Sequence, residues 1–264
     1  MLKIAVAGAT GWVGRALCLA IADADELELV AATSRSQAGK SLGEALDWPG
    51  LDLIVTGNVR EALAAQPEVL VDYTSAVAVK DNVLAAINAG VHVVVGSSGL
   101  SEADFAEIDA LARAKDVGVI AAGNFAVTAV LLQRFAVMAA RYLSQWEIID
   151  FASDSKIDAP SGTTRELAHR LAQVRPPAPT LAISETVGEI DSRGTDLEGT
   201  QIHSIRVPGY TLSAEVIFGA PDERLTIRHD AGSGPEPYIG GTLLAIRRVT
   251  ELVGLIRGLD QVMD

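Results

Sequence analysis

Cysteine is almost absent: Cys18 is the single one in 264 residues. A lone thiol cannot close an internal disulfide, and on the first helical run it reads as a small buried apolar side chain. Long apolar runs are missing too; none approaches the roughly 20 residues that cross a bilayer. The first residues do not read as a secretory leader, because no basic segment precedes an apolar core and a small-residue cleavage site. The cytoplasm is therefore the expected compartment. Positive charge is also scarce. Lys and Arg number 21 against 34 Asp and Glu, a formal net charge of −13, which argues against nucleic acid and anionic membrane as partners. His92, His169, His203 and His229 have no second ligand at metal spacing, so no metal site is expected. A serine-hydrolase elbow, G-x-S-x-G, does not occur. With 49% hydrophobic residues, the chain can bury one large core or two smaller ones.

What the chain does carry is concentrated at its start. Leu2 to Ala7 is an apolar run long enough for a buried strand and short for a helix. It enters Gly8-Ala9-Thr10-Gly11-Trp12-Val13-Gly14, after which Ala16, Leu17, Leu19, Ala20 and Ile21 recur at helical spacing. Strand, glycine turn and helix in that order cradle a dinucleotide pyrophosphate. Glycine lets backbone N–H groups approach phosphate, and the helix start adds partial positive charge. The spacing, G-x-x-G-x-x-G, is one residue longer at its start than the common form.

The tip of the second strand selects the cofactor. A carboxylate there usually holds the ribose 2′-hydroxyl of NAD, whereas Arg suits the 2′-phosphate of NADP. This tip reads Ala32-Thr33-Ser34-Arg35-Ser36, with Lys40 soon after and no carboxylate. Arg35 with Ser34 therefore predicts NADPH, with NADH as the alternative.

The first half alternates strand and helix patterns. Strands are expected at 27–32, 53–55, 69–73, 91–95 and 117–121, and helices at 60–66, 76–89 and from Ser101 to about Lys115. Ser101 and Asp104 have capping-box spacing. Such alternation predicts a parallel sheet with right-handed crossovers. After Asn124 the pattern changes. Helices are expected at 127–143 and 161–174, a strand at 147–151, and strand-like runs at 203–207, 211–218 and 224–229 with no helix between them. That grouping suggests an open, mixed sheet. Residues 185–200 read as a mobile loop and 240–255 as a closing helix that returns to the first domain. The fold class is α/β: a Rossmann-type doubly wound parallel sheet, formed by 1–124 with 235–264, plus a smaller α+β domain at 125–234.

Further segments combine with the glycine turn. They are Val71-Asp72-Tyr73-Thr74, Val95-Gly96-Ser97-Ser98-Gly99, Ala121-Ala122-Gly123-Asn124-Phe125, and Lys156-Ile157-Asp158-Ala159-Pro160-Ser161-Gly162-Thr163. His203 to Arg206 and Asp222 to His229 add to them. Together they resemble the dihydrodipicolinate reductase family of lysine biosynthesis, over nearly the whole chain. The resemblance implies reduction of a cyclic imine dicarboxylate by NADPH or NADH, and a second domain that binds substrate and builds a homotetramer. It places Gly8, Thr10, Gly11, Trp12, Val13 and Gly14 on the pyrophosphate, and Ser34 and Arg35 on the 2′-phosphate. Asp72, Tyr73, Thr74, Gly96, Ser97, Ser98, Asn124 and Phe125 would surround the nicotinamide. Lys156, Ser161, Gly162 and Thr163 would grip a carboxylate of a small anionic substrate, with Lys156 the catalytic group.

Two anchors of the family pattern are replaced. A His-His pair usually precedes the lysine, and one histidine is credited as proton donor; Ala152 and Ser153 stand there. The arginine often found after the last strand gives way to Gly232-Ser233-Gly234. The proton would then come from Lys156, Asp154 or water, with His203 and His229 as further candidates. The residues also fit an NADPH-dependent reductase of another small imine or carbonyl acid, and a non-catalytic NADP(H)-binding protein. The intact string from Lys156 to Thr163 favours an oxidoreductase.

Overall fold

The structure, a computed structural model, describes residues 1–263. The chain begins with β1 (Leu2–Ala7), α1 (Trp12–Ala22), β2 (Leu27–Thr33), α2 (Leu42–Leu46), α3 (Val59–Ala62), β3 (Val69–Asp72) and α4 (Val79–Asn88). It continues through β4 (His92–Val95), α5 (Glu102–Lys115), β5 (Gly118–Ala121), α6 (Val127–Ala140), β6 (Gln145–Ala152) and α7 (Gly162–Ala172). It ends with β7 (Thr195–Leu197), β8 (Thr200–Arg206), β9 (Leu212–Ala220), β10 (Glu223–Ala231), α8 (Glu236–Val249) and β11 (Gly254–Arg257). Two compact units result: Met1–Val127 with the closing segment from Pro235, and Thr128–Gly234.

In the first unit six strands run in the order β11-β5-β4-β3-β1-β2, each pair parallel. Parallel strands covered on both faces need apolar side chains at every position. Accordingly β3 and β5 are buried throughout. Ala5, Leu70, Val93 and Val119 from the strands join Val83 and Ile87 of α4 and Ile108 of α5 in one core. The strand order reverses at β1, which pairs with β2 on one side and β3 on the other. Ligands bind at the carboxyl ends of strands beside such a reversal.

Three sequence-based expectations change in the structure. Residues 240–255 do not form one helix: α8 ends at Val249, Gly254 takes φ +87°, and β11 adds a sixth strand beside β5. A short apolar run such as Leu255-Ile256 has no period of its own that separates strand from helix. Residues 53–55 form no strand: Ile54 makes one isolated bridge to Ser41, and Thr56, just past that run, one to Thr33. Residues 185–200 are not plain loop: 3₁₀ turns form at Ile183–Glu185 and Ile190–Arg193, and β7 pairs antiparallel with β8. Polarity alone does not reveal that pairing.

The second unit holds a mixed sheet in the order β10-β9-β6-β8-β7, with β6 parallel to β8 and antiparallel to β9. Helices α6 and α7 pack on one face of it. Leu132, Leu167 and Leu171 meet Ile148, Val216 and Phe218 there.

His92 serves the sheet. Its Nδ1 accepts from the Gly118 N–H at 2.8 Å, which needs an unprotonated Nδ1. Burial lowers its pKa from 6.5, while Asp116 and Glu68 act the other way. The neutral ring is favoured in the fold, so this contribution is full above pH 6.5 and is lost as pH falls. It is below about 1 kcal/mol because the ring is partly solvated. His92→Gln is expected to flatten the decline in thermal stability between about pH 7 and 5; an unchanged decline refutes this.

Candidate functional site

Gly8 turns the chain after β1 with φ +82°, and a Cβ there would lie 2.2 Å from the Tyr73 carbonyl oxygen. A Cβ on Gly14 would lie 2.1 Å from the Gly8 carbonyl oxygen. Close backbone packing therefore fixes both positions as glycine. Gly11 caps α1 without any side-chain bond, and the first turn carries no acid. Its N–H groups remain available to an anion.

This turn walls a cavity of about 700 Å³ together with Ser34, Arg35, Tyr73, Thr74 and Asn82. Among the described residues no Asp or Glu lines it. Thr10 and Ser34 hydroxyls lie 2.7 Å apart, and Ser34 and Ser36 hydroxyls 3.3 Å apart, so the β2 tip is tied to the glycine turn. Arg35 is exposed in that wall. The donor set fits a dinucleotide with an additional phosphate. Trp12, 57% exposed, meets Tyr238 edge-on at 5.6 Å, and Val13 is half-buried behind it.

The tips of β3, β4 and β5 hold the remaining cofactor candidates. Asp72 is fully buried and bonded to Thr74, Ser97 and Asn82. Tyr73 is mostly buried. Its phenol bonds Thr242 at 2.7 Å, its ring meets Phe125 edge-on, and burial raises its pKa. Gly96 sits on that ring, where a Cβ would approach to 2.2 Å. The Phe125 side chain is 1% exposed and belongs to the core, and its backbone carbonyl faces Gly241. The Asn124 carboxamide oxygen accepts from the Ala126 N–H at 2.8 Å. Ser98 is exposed.

In the second unit the Lys156–Thr163 string is organised by a residue the sequence reading missed, Asp150 on β6. It is 0% exposed. Its oxygens accept from Ser161 N–H and Oγ at 2.9 and 2.5 Å, from Thr164 Oγ1 at 3.1 Å, from Ser204 Oγ at 3.2 Å and from Arg206 at 2.7 Å. Burial alone would raise its pKa; the bonds from Ser161 and Arg206 outweigh this and hold it below 3.8. Arg206 also donates to the Asp158 carbonyl at 2.8 Å, tying the loop to the sheet. The available signal was an aspartate inside the apolar run Ile148-Ile149-Asp150-Phe151, where a carboxylate must find donors.

Ser161 is 2% exposed, and its hydroxyl is hydrogen-bonded to Asp150 instead of capping α7. Exposed Gly162 and half-buried Thr163 remain at a helix start that no side chain caps. The ammonium of Lys156 lies 2.5 Å from Asp158, which lowers the Asp158 pKa. Asp158 is thus a carboxylate at neutral pH and cannot replace the missing histidine as acid. Ala152 is fully buried at the end of β6, and Ser153 bonds Ser155 at 2.9 Å. His203 bonds Glu147 at 2.7 Å on the face away from Asp150, and half-buried His229 has its pKa lowered by burial. Burial thus disfavours His229 as a proton donor. His169 bonds Glu198 at 3.1 Å. Among the described residues no three of His, Cys, Asp and Glu converge as metal ligands. No helix among them is long and apolar enough to cross a membrane.

The family description "Dihydrodipicolinate reductase, N-terminus" matches residues 2–125, and its C-terminal counterpart matches 128–263. The chain belongs to the dihydrodipicolinate reductase family. Within that family, the 4-hydroxy-tetrahydrodipicolinate reductase of Desulfitobacterium hafniense (strain DSM 10664 / DCB-2) is 38% identical over 265 residues, covering 100% of this chain and 99% of that one. The enzyme of the same name from Thermosynechococcus vestitus is 39% identical over 268 residues, covering 99% and 97%. A dihydrodipicolinate reductase from Paenisporosarcina sp. TG-14, solved with dipicolinate bound, superimposes with TM-score 0.90 at 30% identity over 100% of both chains. An amine dehydrogenase from Mycobacterium smegmatis shares the fold at 17% identity and TM-score 0.70, covering 100% of this chain and 96% of its own. This dihydrodipicolinate reductase family member is therefore an α/β protein with a Rossmann-like sheet and a second, mixed sheet.

Proposed function

We propose that the chain is a 4-hydroxy-tetrahydrodipicolinate reductase, using NADPH to reduce a cyclic imine dicarboxylate in the lysine and diaminopimelate pathway. The full-length family match, with the Lys156–Thr163 string intact, carries this reading. Bound NADPH supplies a hydride to the imine ring. Gly8, Gly11 and Gly14, with the start of α1, hold the pyrophosphate. The Lys156 ammonium and the uncapped start of α7 at Gly162 and Thr163 hold a substrate carboxylate. Lys156, or a water it orients, delivers the proton to the carbon beside the reduced one. Positioning supplies most of the rate. NADPH oxidation with enzymatically generated substrate tests the reading, and silence despite tight NADPH binding overturns it. Ala152 and Ser153 favour the second reading, a reductase of a different small imine or carbonyl acid, which a screen of cyclic imines would then separate.

Arg35 in a wall without carboxylates supports NADPH over NADH. Loss of a charged hydrogen bond to phosphate costs about 2 kcal/mol, roughly thirtyfold in affinity. Arg35→Ala is expected to weaken NADPH by that factor and NADH by less than about twofold in a fluorescence titration. An equal loss for both refutes the assignment.

The chain works in the cytoplasm as a homo-oligomer, by family resemblance a tetramer. Both long helices of the second unit pack on one sheet face, and Ile149, Phe151, Ile205 and Ile217 alternate onto the other, which supports a face for a second copy.

A further inference from the structure

We propose that Asp72 is a positioning residue for the nicotinamide end of the cofactor site, an inference that rests on the NADPH-binding reading above. Asp72 closes β3 and is 0% exposed, its carboxylate enclosed by protein groups. A buried carboxylate is tolerated only when donors satisfy its oxygens. Here Oδ1 accepts from Ser97 Oγ at 2.6 Å, Thr74 Oγ1 at 2.8 Å and Thr74 N–H at 3.1 Å. Oδ2 accepts from the Asn82 carboxamide at 2.8 Å. Ser97 Oγ in turn accepts from the Thr74 N–H at 2.7 Å. None of these donors is a cation. Hydroxyl, amide and backbone dipoles satisfy the charge, and each must point at it.

Three segments converge on this one side chain: the tip after β3, the tip after β4, and α4 through Asn82. Tyr73, Thr74 and Asn82 all line the cofactor cavity. The two tips have no slack. A Cβ on Gly99 would lie 2.3 Å from the Ala76 Cβ, and one on Gly96 would strike the Tyr73 ring. Moving the carboxylate's partners therefore moves the backbone that faces the ligand. Ser34 and Arg35 line the same cavity from the β2 tip, where the Ser34 hydroxyl bonds Thr10 and Ser36 and no partner of Asp72. Asp72 should thus govern the alignment of the hydride donor and leave phosphate anchoring alone. A displacement of about 1 Å at a reacting centre lowers rates by up to roughly a hundredfold.

Asp72→Asn keeps the shape and turns one acceptor into a donor that faces other donors. Two ligands separate the ends of the site: NADPH, and adenosine 2′,5′-bisphosphate, which carries the 2′-phosphate and no nicotinamide. The variant is expected to bind the bisphosphate within about twofold of wild type, to lose at least half of the affinity advantage of NADPH over it, and to lose about tenfold in kcat. Ser97→Ala should show the same split to a smaller degree, and it carries the test should Asp72→Asn fail to fold. Val83→Ala, a core change in the same α4, should lower the melting temperature without changing the ratio of the two affinities. Equal losses for both nucleotides, or an unchanged ratio with unchanged kcat, overturn the proposal. A wild-type protein that binds neither nucleotide overturns the cofactor reading itself, a distinct result.

Discussion

Lys156→Ala should lower kcat/KM by about a thousandfold while leaving NADPH affinity within about twofold. Two losses combine in that figure. A charge-assisted bond to a substrate carboxylate contributes up to about 3 kcal/mol, and a positioned proton source contributes roughly 10²-fold or more. Three neighbouring groups do not substitute. Asp158 is held ionised by this same lysine, Ala152 is apolar, and Ser161 is committed to Asp150. NADPH affinity is spared because Lys156 is not part of the cofactor cavity. Lys156→Arg divides the two roles. It keeps the charge, yet a guanidinium does not give up its proton at neutral pH. KM should stay close to wild type and kcat should fall. Steady-state kinetics with nucleotide titration decide the matter, and an alanine variant that retains a third of wild-type turnover removes Lys156 from the mechanism.

Asp150→Ala should destabilise the protein by about 3–5 kcal/mol, the usual loss when one partner of a buried ion pair is removed. The alanine leaves Arg206, Ser161 and Thr164 as donors without their acceptor, and frees the start of α7 from β6. For a chain of this size the melting temperature should drop by about 10 °C. Asp150→Asn, which keeps the shape, should lose less. The pH dependence has a definite sign. The folded carboxyl lies below 3.8, so its stabilisation is full above that value and is lost as pH falls through the folded pKa. Thermal melts of wild type and variant should therefore converge toward acid. A variant within about 1 kcal/mol of wild type at neutral pH would show that the network is dispensable.

How much of this was legible beforehand depends on the distance between the residues involved. The glycine turn was legible because strand, turn and helix are adjacent, and because Gly8 and Gly14 are required by contacts inside that stretch. The capping box of α5 was legible for the same reason: Ser101 and Asp104 are three residues apart and bond each other. The place of Arg35 was legible too, an exposed residue just past the tip of β2 in the cavity wall.

The partners of Asp72 and Asp150 were not. Asp72 reads as a residue at a strand end, and only the pairing of β3 with β4 brings Ser97 to it across 25 positions. Arg206 reaches Asp150 across 56 positions because β8 lies beside β6. Ser161 shows the same limit in reverse, since its sequence place suggests a helix cap while the folded sheet supplies a stronger acceptor.

Local chemistry in the sequence determined the class of fold, the glycine turn and the family, because those signals lie within a few residues or in strict periodicities. Tertiary structure alone decided which polar groups line the cavity and which are consumed holding the loops. A buried carboxylate takes whatever donors the sheet brings within about 3 Å, and strand order, set by the packing of the whole core, determines which those are.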